Sequence, residues 1–198
     1  MQRVEADNNI QIAVVDETYF SDGEDWYERR ESFRLNLERE FGVGFEDADV
    51  GPSVSLPAFV AFIAANWELV GPIALAVFFG GKRVEDNWKW WVSKAKIIRG
   101  IGKKRQIKLN RNGAAILAVE AVMRELSETP SGLKLLRYGT GYMDEADDLN
   151  DFQIGHEKEG PTDTLFLGFI KHVFEIEADG KLFRVGVDGS EVEVVRVD

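Results

Sequence analysis

The chain has 198 residues, 44% of them hydrophobic, and its 35 acidic and 24 basic side chains give a formal charge of −11. That length suits one domain, or one with a small appendage, and the composition can fill a core. The absence of cysteine excludes disulfides, thiolate metal sites and cysteine nucleophiles, and two histidines, His156 and His172, leave little for histidine-based catalysis.

The first residues, MQRVEADNN, hold no apolar signal core. Together with the missing cysteines this points to a cytoplasmic protein. Asn9–Asp16 reads as a strand, with Ile10, Ile12 and Val14 on one face. Ser21-Asp22-Gly23 is turn chemistry. Glu24–Phe41 reads as a helix with Trp26, Phe33, Leu37 and Phe41 along one stripe and Gly42 as its stop. Val43–Phe45 starts a second strand, which makes a βαβ unit.

Leu56–Gly80 is the longest apolar run and the expected centre of the molecule. Its length would cross a bilayer, which takes about 20 mostly apolar residues. Asn66 and Glu68 near the midpoint argue against that, because an ionised group there costs roughly 2.5–3.5 kcal/mol. Gly71-Pro72 breaks the run. The expectation is a pair of buried core helices, 57–69 and 72–79, with Glu68 paired or reaching solvent at the bend.

Lys82 to Arg111 holds eleven basic residues against Glu85 and Asp86, a local charge of +9 in a chain whose remainder is −20. Its first part reads as a helix from a cap at Asp86 or Asn87 to about Ile98. Trp88, Trp91, Val92 and Ala95 form an apolar stripe, and Lys89, Lys96 and Lys103 a basic one. The plain reading is a core face and a solvated face, with the cations neutralising acids of the same fold.

Arg105–Leu109 is a short strand with Ile107 and Leu109 inward, and Asn110–Gly113 a turn. Ala114–Glu128 is a helix with Leu117, Ala118, Ala121, Val122 and Leu126 inward and Glu120, Arg124 and Glu128 outward. After TPSG, Leu133–Tyr138 is a strand, so a second right-handed βαβ crossover is expected. Gly139–Pro161 reads as a long acidic loop. Thr164 onward is strand, with Val173 off the Phe174/Ile176 face. Asp179-Gly180 and Asp188-Gly189 are hairpin turns of a three-stranded meander.

The fold class predicted is therefore α/β, more strictly α+β. βα units with an apolar helical centre fill residues 1–142, an acidic loop spans 143–163, and the meander spans 164–198 on the same core.

Few motifs carry chemistry. Asp144, Glu145, Asp147, Asp148 and Asp151 lack the calcium-loop spacing, so no metal and no cofactor is expected. His156 beside Glu157 has no nucleophile tied to it. His172, inside an apolar strand, reads as a hydrogen-bonded core histidine. Gly139-Thr140-Gly141 is followed by acids, which repel phosphate. Arg99, Lys103, Lys104, Arg105, Lys108 and Arg111 could meet nucleic-acid phosphates, but the −20 remainder repels that polymer.

No family motif is matched residue by residue. The order of strand, helix, strand, apolar helix, basic helix and strand resembles small α/β adaptor modules of bacterial conflict systems, over about the first half of the chain. The working expectation is a non-catalytic interaction protein of the immunity or inhibitor type. It would bind a basic protein partner through Asp144, Glu145, Asp147, Asp148 and Asp151. One alternative is an inner-membrane-associated protein using residues 56–80, with Trp88, Trp91, Lys89, Lys96, Lys103, Lys104 and Arg105 as anchor. Another is a carboxylate-dependent hydrolase using Asp144–Asp151 with His156.

Overall fold

A computed structural model describes residues 10–15, 26–48, 58–63, 83–126, 130–142, 148–154 and 170–197. Its elements are β1 (Ile10–Val15), α1 (Trp26–Phe41), β2 (Glu46–Ala48), β3 (Ala58–Ile63), α2 (Arg83–Gly102), β4 (Ile107–Leu109), α3 (Arg111–Glu125), β5 (Leu133–Tyr142), β6 (Ile170–Ala178), β7 (Lys181–Asp188) and β8 (Glu191–Val197). This is an α+β architecture with two antiparallel sheets.

The first sheet has the order β2-β3-β1-β4. β1 is antiparallel to both β3 and β4, and β3 is antiparallel to β2. β1 and β2 therefore run parallel with β3 between them, and β3 and β4 run parallel with β1 between them. The predicted βαβ unit exists, but it is split by an inserted strand, as in ferredoxin-like sheets. The second strand starts at Glu46, after the Val43–Phe45 expected to open it.

The apolar run needs a correction. Ala58–Ile63 is β3, a strand and not the start of a helix over 57–69. Phe59 lies opposite Val14 and Ala61 opposite Ile12, and Phe59, Val60 and Ala61 are all buried. A strand covered on both faces loses its alternation, so periodicity cannot separate it from a buried helix. Pairing with β1 decides the matter. The expected helix 72–79 and the environment of Glu68 lie outside the described residues.

The buried centre among the described residues is α3. Every residue from Arg111 to Met123 is buried. The helix packs on β1 and β4 of the first sheet, on β6, β7 and β8 of the second, and on α2. Ala114, Ala115, Ala118 and Ala121 keep it slim enough for neighbours on every side. The helix also starts earlier than expected. Asn110 is its N-cap, and its Oδ1 accepts from the Gly113 N–H and the Gln11 N–H, both at 3.0 Å. One buried side chain thus caps α3 and ties it to β1. Glu120, expected outside, is buried and paired with Arg99 at 2.8 Å and with Arg124.

α2 likewise exceeds its expected span of about 86–98, running from Arg83 through Ile101 to Gly102. Trp91, Ala95, Ile98 and Ile101 all enter the core, so the apolar stripe is long enough to hold the last turn.

The second sheet has the order β5-β6-β7-β8. The expected β4–α3–β5 crossover does not form, because β4 belongs to the first sheet and β5 pairs antiparallel with β6. The meander is as predicted at its first turn: Asp179 and Gly180 have φ of 49° and 77°, the two positive values a type I′ hairpin requires. Its second turn is Gly189-Ser190, one residue later than expected, because Asp188 pairs with Glu191.

Candidate functional site

Strand alternation divides the second sheet into two faces. Phe174, Ile176, Phe183 and Val185 join the main core. Val173, as expected, points the other way, into a small cluster with Leu149 and Ile154. On this outer face Arg137, Glu175 and Arg184 are direct neighbours across β5, β6 and β7. Glu175 is 2% exposed. Its carboxylate accepts from Arg137 at 2.5 and 2.7 Å and from Arg184 Nε at 3.0 Å. A buried carboxylate needs that much compensation.

The rest of the Arg184 guanidinium organises the acidic segment. Its Nη1 donates to the carbonyls of Leu149, Asn150 and Phe152 at 2.8, 2.6 and 3.2 Å. Within the turn, the Asp148 side chain accepts from Asn150 N–H and its carbonyl from Phe152 N–H. Asp148 and Asp151 themselves are exposed.

Two glycines let the turn lie down. Gly139 and Gly186 flank Val173 across the ladder. A Cβ on Gly139 would come within 3.1 Å of Ile154 Cγ2. One on Gly186 would come within 3.0 Å of Leu149 Cδ2. The Gly-Thr-Gly stretch therefore lies in β5, and one of its glycines serves as a seat for Ile154. Gly139–Tyr142 belongs to that strand and not to the loop expected to begin there.

Part of the basic segment is paired with acids of the same fold. Arg99 pairs with Glu120, Lys104 and Arg105 with Glu40, and Lys108 with Asp188. Lys104 and Arg105 also lie over the rings of Phe41 and Phe33. Lys89, Lys96 and Lys103 are exposed, forming the expected solvated stripe. Trp91, at 1% exposure, is a core residue. The side chain of Trp88 lies outside the described residues. Among the described residues, no helix is long and apolar enough to cross a membrane.

A third polar group sits where the two sheets meet. His172 is buried, and its Nε2 lies 3.0 Å from the Leu109 carbonyl and its Nδ1 2.9 Å from the Tyr138 hydroxyl. A carbonyl only accepts, so Nε2 carries the proton and Nδ1 accepts from Tyr138. Arg111 stacks on the Tyr138 ring, 4.5 Å from its centroid. Burial pushes the imidazole pKa down to about 4, against an upward pull from Leu109 and Asp188. His172 is thus the hydrogen-bonded core histidine that its strand implied.

Of the five acids expected to bind a partner, Asp148 and Asp151 come together on one docked turn. Asp144, Glu145 and Asp147 lie outside the described residues, as does His156. The residues missed are Arg184, Glu175, Gly139 and Gly186, which build the seat. Among the described residues no three His, Asp or Glu side chains gather as a metal site would require. No protein-family model, curated protein or solved structure matches the chain.

Proposed function

We propose that the chain is a non-catalytic interaction module that engages a basic protein partner through its acidic surface, in the manner of an inhibitor or immunity protein. The observation that carries this reading is the pinned turn. Asp148 and Asp151 are held outward on backbone whose carbonyls are tied to Arg184. A charged surface already ordered before contact loses less conformational freedom on binding. The pairing of Arg99, Lys104, Arg105 and Lys108 with Glu120, Glu40 and Asp188 also supports it, because those cations are engaged away from Asp148 and Asp151. A cytoplasmic site of action is part of the same proposal.

The test replaces Asp144, Glu145, Asp147 and Asp148 together by Asn or Gln. Wild type and variant are immobilised and exposed to host extract at rising salt. Proteins held by wild type at low salt, released as salt increases and absent from the variant support the reading, since rim charges act mainly on association. Recovery of the same proteins at the same salt from both would end it.

A further inference from the structure

We infer that His172 makes the junction between the two sheets acid-sensitive, because its ring is buried there, bonded on both nitrogens, with Lys108 and Arg111 close by to oppose a further positive charge. The geometry sets this up. β6 contributes the ring, β4 the Leu109 carbonyl, and β5 the Tyr138 hydroxyl. The ring is a polar link from β6 to the backbone of the first sheet. Both of its nitrogens are occupied, one as donor and one as acceptor.

The charged groups around it oppose a second proton. Lys108 on β4 and Arg111 at the start of α3 both disfavour imidazolium, and Asp188 at the end of β7 favours it. Asp188 is already engaged by Lys108 at 2.9 Å. Arg111 lies on the far partner, over the Tyr138 ring. Protonation would turn Nδ1 into a donor, and the Tyr138 hydroxyl, which can also accept, would have to rotate its own hydrogen away from the ring. It would also put a third positive charge beside Lys108 and Arg111.

The sign follows from linkage. The folded pKa, about 4, lies below the unfolded value near 6.5, so the native state resists the proton and the unfolded state accepts it. The contribution of His172 to stability is full above about pH 6.5 and drains away as pH falls toward about 4. Across that window the folding equilibrium constant should drop roughly 100-fold on account of this one residue. The window opens above the ordinary range of carboxylates, so the histidine acts before most acids titrate.

The experiment measures urea unfolding of wild type and His172→Gln between pH 7 and pH 4. Glutamine keeps an amide donor for Leu109 and does not titrate. The gap between the two stabilities should narrow or reverse by roughly 100-fold in equilibrium constant as pH falls. Hydrogen exchange on wild type should show the amides of β4 losing protection before those of β7. Parallel stability curves for the two proteins would overturn the inference. If the variant does not fold, the imidazole of wild type is titrated by NMR. A folded-state pKa below about 5 upholds the inference, and an ordinary value near 6.5 overturns it.

Discussion

Arg184 and Glu175 face each other across β7 and β6, and the arginine spends one guanidinium on two tasks. Its Nε neutralises the buried carboxylate at 3.0 Å while its Nη1 gathers three carbonyls of the acidic turn. The charge balance of the sheet and the shape of the turn are thereby linked through a single side chain.

Arg184→Met should therefore cost more than a surface substitution. Glu175 keeps Arg137 but loses one of its three hydrogen bonds and one of its two cations, and the turn loses its three carbonyl contacts. A destabilisation of about 2 kcal/mol or more is expected, within the range for disrupted buried ion pairs. Chemical denaturation measures the first effect. Faster amide exchange at Leu149–Phe152, with β7 still protected, measures the second. Unchanged exchange in the turn would show that Arg184 does not hold it.

Gly180 and Gly189 separate two costs that usually come together. Both have positive φ, 77° and 54°. Around a Cβ on Gly180 there is nothing within 4 Å, whereas one on Gly189 would lie 2.5 Å from the Ile107 carbonyl oxygen. Gly180→Ala should cost about 1 kcal/mol, the backbone penalty alone. Gly189→Ala should cost at least about 2 kcal/mol, because β4 must move as well. Thermal or urea unfolding of the two variants gives the comparison, and equal losses would contradict the close approach of Gly189 to β4.

Asn110→Ala should remove two acceptor contacts at once. The lost cap accounts for about 1 kcal/mol, and the orphaned Gln11 N–H, now buried without its acceptor, for about 1–3 more. Asn110→Asp keeps an oxygen at the same point, beside a helix N-terminus that favours negative charge, and should lose less. The order wild type, Asp, Ala in unfolding free energy is the readout.

Asp179 gives the acid side of the pH profile. Hydrogen bonds from the Ser131 hydroxyl, then from the Ser131 and Gly132 amides, hold its carboxyl below the usual aspartate range. A depressed carboxyl adds stability that is present above its unfolded pKa, near 4, and is lost as pH falls through the lower folded value. Asp179→Asn keeps a residue suited to a type I′ turn. It should lower stability slightly at pH 7 and flatten the profile below pH 4. A profile of unchanged slope would remove Asp179 as a contributor.

What was legible in the sequence was local chemistry. Asp179-Gly180 announces its hairpin because few residue pairs accept positive φ twice in a row. α1 showed through Phe33, Leu37 and Phe41, and its end through Gly42, which has φ of 67°. What was not legible depends on partners remote in the chain. Ala58–Ile63 has no alternation because both its faces are covered, so only β1 reveals it as a strand. Leu133–Tyr142 follows α3 closely in sequence yet joins the other sheet, a choice made by β6. The acids of the candidate site stood out by charge alone. Its seat did not, because Gly139 and Gly186 acquire meaning only when the ladder places them on either side of Val173.

A helix covered on all sides also orders events in time. α3 can finish burying Arg111–Met123 only when β6, β7 and β8 have been made, yet its other neighbours, β1, α2 and β4, precede it. During synthesis the first sheet and α3 must wait with an apolar flank open to water, a state prone to association. The Asn110–Gln11 hydrogen bond, spanning 99 positions, closes a large loop before the last strands arrive to reward it. The meander, by contrast, is built from neighbours and can form as soon as it emerges. Stopping the chain before Lys181 should therefore yield a protein that binds a hydrophobic dye and aggregates, with its first sheet complete in sequence and unprotected in fact.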